Sequence, residues 1–195
     1  MLEKIKARVT SVYVGSEENL IKHEQSEIKV ELSGVVGDRH NSFARETWSG
    51  DKQPEGTIRR NERQWSAVSV EELNDIQKTM NLVKPLRAAD LGANLCFSGI
   101  KEFSKLPKGS VLKFPSGAEL IVVEYNPPCH DMGKSLATKY KTQSGQPLST
   151  TEFSKAAQFN RGVVGVVDVA GSIHCGDEVL VEVYTTAKWL QRNSK

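Results

Sequence analysis

Apolar and polar residues alternate in two stretches near the amino end. Ile5, Ala7 and Val9 alternate with Lys6, Arg8 and Thr10, and Ile28, Val30 and Leu32 alternate with Lys29, Glu31 and Ser33. A period of two belongs to strands with one face buried, so both stretches predict β structure. From Gly34 to Gln64 the period is lost and polar residues, Gly and Pro accumulate. That segment predicts a long surface excursion, a kind of loop that is commonly functional or disordered. A short strand is expected over Ser66–Ser69. Ser69 and Glu72 then form a capping-box pair ahead of Leu73, Ile76, Gln77 and Met80 at helical spacing, which predicts a helix over about Val70–Met80.

The second half is richer in β signals. Asn94–Phe97, Ser110–Phe114 and Ala118–Tyr125 are short, punctuated by glycine turns, and the last two read as a tight hairpin closed by Ser-Gly. Pro127 and Pro128 remove backbone donors and stop the strand. Asp131–Tyr140 can then be helical, with Met132, Leu136 and Tyr140 on one face. A second capping-box pair, Ser149 with Glu152, predicts a short helix through Phe153, Ala156 and Ala157 toward Phe159. Gly162–Val169 is a Val-rich run suited to a strand buried on both faces, and Glu178–Tyr184 alternates after a Gly-Ser-Ile-His-Cys-Gly-Asp turn. The tail predicts a terminal helix over about 186–192. Together these elements predict a small, mainly β barrel with a few peripheral helices, and a length of 195 residues fits one domain with its core over about 28–184.

Charge narrows the function classes. With 26 basic and 24 acidic residues the net charge is +2, so neither nucleic acid nor an anionic membrane is an expected partner. The first ten residues mix charge with apolar side chains, unlike a secretion signal or a membrane span, and predict a cytoplasmic protein.

Three cysteines, Cys96, Cys129 and Cys175, lie far apart with no Cys-x-x-Cys pair, which argues against a disulfide framework or a structural zinc site. A thiol reacts as thiolate, favoured at an exposed element end near positive charge or a helix amino terminus. Cys129, between the two prolines and the predicted helix, fits best. Cys96 sits among apolar neighbours and reads as core; Cys175, in a glycine-bounded turn beside His174, is a second candidate. His23, His40, His130 and His174 raise a Cys–His hydrolase or a zinc site using Cys129. His130 directly follows Cys129, however, and adjacent side chains in extended backbone point apart. For an anionic ligand, Gly37-Asp38-Arg39-His40 and Arg161-Gly162 offer backbone amides and guanidinium forks, whereas Arg59, Arg60 and Arg63 read as a solvated face.

The ordered series GVVGDRH, RQWSAVSVEEL, LGANLCFSGI, LPKGSVLKF, SGAELIVVEYNPPC and RGVVGVVDVAGSIHCGDEV, from Gly34 to about Val181, resembles the MOSC domain, the module at the carboxyl end of molybdenum-cofactor sulfurases. The resemblance implies a mixed-topology β-barrel like that of pyruvate kinase, with peripheral helices. It also implies one essential cysteine, matching Cys129, which either carries a persulfide for delivery to a metal centre or ligates molybdenum. Gly37, Asp38, Arg39 and His40 match the family's Gly-Asp-Arg-His turn, Asn94 the asparagine of its Gly-Glu-Asn stretch, and Arg161 with Gly162 its late Arg-Gly step; these are the expected cofactor-binding residues. Ala93 stands where many relatives carry the glutamate. The sequence has no aminotransferase-like portion and no ferredoxin-like cysteine cluster. A stand-alone protein of this kind would therefore depend on a separate cysteine desulfurase as sulfur donor, or on a flavoprotein electron donor for reduction of N-hydroxylated compounds.

Overall fold

The computed structural model describes residues 3–16 and 21–187. Its main sheet closes on itself. Strands β1 (Glu3–Val14), β7 (Trp65–Ser69), β8 (Leu95–Ser98), β9 (Val111–Lys113), β10 (Glu119–Tyr125), β11 (Val163–Val169) and β13 (Glu178–Val183) follow the order β13-β9-β10-β11-β7-β8-β1, and β13 pairs back onto β1. Closure removes the exposed edges that an open sheet leaves. Among the described residues only β7 and β8 run parallel, joined by a helical crossover; the other pairings are antiparallel, so the barrel has mixed topology. β2 (His23–Gln25) extends the sheet beside the carboxyl end of β1.

Alternation predicts the barrel interior correctly. Ala7 and Val9 of β1, Leu112, Leu120, Val122, Val179 and Val181 all point into one apolar core around Trp65. Gly165 makes room for that indole: a Cβ there would stand 2.0 Å from the Ile121 carbonyl and 2.5 Å from the Trp65 ring. The Trp65 Nε1–H donates to the Val166 carbonyl at 3.0 Å, so its one polar atom is satisfied in the core.

A second apolar cluster lies outside the barrel, where α1 (Val70–Thr79), α2 (His130–Lys139) and α3 (Glu152–Ala156) cover one side. The three helices predicted between Val70 and Phe159 are present, and Ser69 Oγ accepts from the Glu72 N–H at 3.2 Å as an amino-terminal cap. The reciprocal half of the capping box is absent: the Glu72 carboxylate turns inward to Ser104. The second box does not form. Thr151, with helical backbone, precedes α3, and Ser149 Oγ accepts from the Thr151 N–H instead. Phe159 falls beyond α3 in left-handed backbone at φ 67°.

Two further corrections concern the loops. The Gly34–Gln64 excursion is built structure: β4 (Gly34–Val35) pairs with β3 (Glu27–Glu31), and β5 (Ala44–Glu46) forms a hairpin with β6 (Ile58–Arg60). Arg45 clamps Asp51 across that hairpin with two 2.7 Å bonds. The segment expected as a turn before the last strand contains β12 (Gly171–His174), which pairs with β3 and buries Ile173. The expected helix at 186–192 falls almost wholly outside the described residues. No helix among the described residues is long and apolar enough to cross a membrane.

Candidate functional site

Asp38 is the hub of the Gly-Asp-Arg-His turn. Gly37 adopts φ +78°, a glycine-favouring conformation, at the sharp bend before it. The Asp38 carboxylate is buried, and five donors converge on it. Oδ2 accepts from Asn94 Nδ2 at 2.8 Å, from the Gly15 N–H at 3.1 Å, and from Lys22 Nζ at 2.5 Å. Oδ1 accepts from the His40 N–H at 3.1 Å and stands 3.1 Å from His40 Nδ1. Burial pushes this carboxyl up, but the His40 bond and the Lys22 charge outweigh burial and hold it well below the usual carboxylate range. Burial also lowers the Lys22 ammonium and the His40 imidazole. Arg39 projects from the same turn at the surface, beside an open groove of about 500 Å³ lined by Ser16, Ser33, Asn41 and Phe43.

Asn94 ties the hub to the barrel. Its Oδ1 accepts from the Ser66 N–H at 3.1 Å at the start of β7, and its Nδ2 also reaches the Tyr13 carbonyl at 3.2 Å. Three residues earlier, the Leu91 carbonyl accepts from Arg161 Nη2 at 2.8 Å. The same short segment therefore holds Asp38 on one side and Arg161 on the other.

Arg161 is 7% exposed, and its Nε and Nη1 have no hydrogen-bond partner among the described residues. Burial lowers this guanidinium to about 10; its coupling to Cys129 opposes that shift, while Arg63 reinforces it. Gly162 follows at φ +88°, where a Cβ would lie 1.9 Å from the Ala67 carbonyl, so only glycine fits against β7. The Gly162 carbonyl accepts from the Asn126 N–H at 3.0 Å, and Asn126 Oδ1 accepts from Arg63 Nη2 at 2.6 Å. Arg63 belongs to this cluster and not to a solvated face. Its guanidinium is lowered by burial and opposed by Glu124, Asp51 and Cys129.

Cys129 comes three residues after Asn126. It is exposed, takes extended backbone (φ −110°, ψ 158°), and immediately precedes the first turn of α2, with its side chain making no cap hydrogen bond. The sulfur is thus accessible, beside free amides of a helix start, and close enough to Arg161 and Arg63 for mutual electrostatic effect. Cys96 is buried, with its thiol pushed up by burial. Cys175 is exposed and its Sγ–H donates to the Thr10 carbonyl at 3.1 Å, on the β1–β12 side of the fold. His130 is exposed on the first turn of α2, and His174 Nε2 lies 2.9 Å from Glu27. Among the described residues no three His, Cys, Asp or Glu side chains converge as a metal-holding group, so the zinc site considered for Cys129 with two histidines is not assembled.

The family model for the MOSC domain matches residues 38–180, which spans the Asp38 hub, Cys129 and the Arg161–Gly162 step. The chain belongs to the MOSC family. It is 30% identical over 187 residues, 94% of each chain, to the Bacillus subtilis protein YuaD, named provisionally for metal-sulfur cluster biosynthesis. The crystal structure of B. subtilis YuaD superposes with a TM-score of 0.89 at 29% identity, covering 95% of this chain and all of that one. YiiM from Geobacillus stearothermophilus shares the fold at 13% identity and a TM-score of 0.62, over 90% of this MOSC chain and 74% of its own.

The structure thus joins Asp38, His40 and Asn94 in one hydrogen-bonded hub, with Gly37 at the bend that leads into it, and brings Arg161, Gly162 and Cys129 to an adjoining cluster. The charge of Arg161 acts on Lys22, which links the two. Lys22, Arg63 and Asn126 escaped sequence reasoning. Lys22 carries no local signal, because its partner lies sixteen residues on; the Asn-Pro-Pro-Cys run drew attention to its prolines and to Cys129, not to Asn126.

Proposed function

We propose that this MOSC protein binds molybdenum cofactor, with Cys129 as the thiolate that meets the metal and Arg161 and Arg63 as the cations that receive its anionic end. Arg161 carries this reading. A buried guanidinium with two unpaired nitrogens is costly unless a ligand completes it, and a phosphate accepts the forked geometry of Arg. A soft sulfur donor such as Cys129 suits molybdenum. When bound, the cofactor would supply two-electron redox chemistry at the metal. The chain's own tasks are to orient and to exclude. The Pro127-Pro128 pair fixes the approach of Cys129, Asn126 locks Arg63 to the same strand end, and the Asp38–Lys22–Asn94 hub holds the Leu91–Asn94 segment under Arg161. Gly37, Arg39 and His40 would contact the outer part of the ligand. Electrons would come from a flavoprotein partner.

The test is cofactor retention. Protein from a cofactor-producing host should release a fluorescent pterin on denaturation, and both Cys129→Ser and Arg161→Gln should release less than a tenth as much. Equal release from all three would contradict the assignment.

A second reading has its own support. The exposure of Cys129 and the likeness to a protein named for metal-sulfur cluster biosynthesis favour a sulfur carrier loaded as persulfide by a cysteine desulfurase. Incubation with a desulfurase and cysteine would then add one sulfur at Cys129, removable by reductant.

A further inference from the structure

Glu72 is a buried carboxylate, 1% exposed, in the first turn of α1, where an ordinary helix-start glutamate would face solvent. No cation among the described residues pairs with it. Its Oε1 accepts from the Ser104 N–H at 2.8 Å and its Oε2 from the Ser104 Oγ–H at 2.8 Å. Ser104 Oγ, with its proton directed to Glu72, accepts in turn from the Gly162 N–H at 2.6 Å. That amide belongs to the residue next to Arg161, and the Gly162 carbonyl holds Asn126 on the way to Cys129. A buried carboxylate without a counter-charge is expensive, and a hydroxyl or amide would meet the needs of Ser104 more cheaply.

We propose that Glu72 is a positioning residue of the Cys129 site, acting through Ser104 on the Arg161–Gly162 step. The inference rests on the reading of Arg161 as part of that site. While ionised, Glu72 is an acceptor at both oxygens and forces the Ser104 lone pair toward Gly162. Once protonated, it becomes a donor at one oxygen, so Ser104 Oγ must turn its own proton away from Glu72 to accept there, which re-aims the lone pair that receives the Gly162 N–H. Burial raises this carboxyl to about 7, so the exchange falls near neutrality. Glu71 and Asp75 of its own helix add to the rise. Tyr125 of β10 is near enough to sense the Glu72 charge. From α3, Glu152 and Lys155 pair with each other toward solvent, and Cys96 of β8 is engaged with Thr10 and Ser11.

The experiment uses the cofactor-free full chain, so its outcome is independent of whether molybdenum binds. Iodoacetamide alkylation of Cys129 is followed by peptide mass spectrometry from pH 6 to 9, with exposed Cys175 in the same molecule as internal standard. The wild-type Cys129/Cys175 rate ratio should rise through an inflection near pH 7. Glu72→Gln should flatten the profile and lower the ratio at pH 8 at least threefold. Ser104→Ala, which keeps the carboxylate but removes the relay, should do the same, and Asp75→Asn, which takes away one charge that raises Glu72, should move the inflection to lower pH and leave the ratio at pH 8 unchanged. A folded Glu72→Gln with the wild-type profile overturns the proposal. If that variant does not fold, Ser104→Ala decides: an inflection that persists there would mean through-space charge and not positioning, and would equally overturn it.

Discussion

Replacing Asp38 by Asn tests whether the Gly-Asp-Arg-His turn works as a charged hub. The change removes one proton-accepting charge and almost no volume, so packing is a minor term. An amide offers one acceptor oxygen and one donor NH₂, yet donors approach both Asp38 oxygens: Lys22, Asn94 and Gly15 on Oδ2 and His40 on Oδ1. Whichever way the amide turns, an N–H faces an N–H, and the Lys22 ammonium, 4% exposed, loses its counter-charge. Breaking a buried ion pair from one side costs about 3–5 kcal/mol. For a chain of this size that corresponds to a fall in Tm of roughly 6–20 °C. Because Asp38 is held below its ordinary range, its contribution is fully present above the unfolded carboxyl value of about 4 and is lost as pH falls through the depressed folded value. Chemical denaturation of wild type and Asp38→Asn at pH 7 and pH 3 should therefore show the gap narrowing at the lower pH. A loss below about 1 kcal/mol at pH 7, or a gap independent of pH, would refute the hub.

Arg161→Met should raise the stability of the cofactor-free protein by about 1–3 kcal/mol, because it removes a buried cation with two unpaired nitrogens; thermal melting checks this, and a lowered Tm would contradict it. Gly162→Ala should cost at least ~3 kcal/mol, since its Cβ would meet the Ala67 carbonyl at 1.9 Å in backbone that resists a shift. In Glu72→Gln the stability difference from wild type should change with pH. Burial favours the protonated Glu72 in the folded state, so wild type loses up to about 3 kcal/mol relative to Glu72→Gln as pH rises from about 4.5 to about 7. Urea titrations at pH 5 and 8 read that difference, and parallel curves would refute it.

The barrel was legible where strands were long enough to show a period. β1, β10, β11 and β13 carry between six and twelve residues, and their alternation or continuous burial is visible. β4, β5 and β6, of two or three residues, are too short to display any period, so an ordered region read as an excursion. β12 hid between glycines because it buries one apolar side chain, Ile173. The exposed position of Cys129 ahead of α2 was legible because two prolines and a helix pattern bracket it. Glu72 was misread for a physical reason: a capping box and a buried carboxylate at the third helical position have identical sequence. Arg63 shared a basic run with Arg59, which pairs with Asp51 and Glu62 at the surface, and Arg60, which is exposed; only tertiary placement separates them.

Molybdenum content per chain, by plasma mass spectrometry with intact-protein mass on the same sample, tests the central assignment. Wild type and Cys129→Ser are purified without reductant from a host that makes the cofactor. The proposed role predicts close to one molybdenum per wild-type chain and almost none in Cys129→Ser. Wild-type protein free of molybdenum, or molybdenum retained equally without the thiol, would contradict it, and a mass gain of one sulfur on metal-free wild type would point to the carrier role instead.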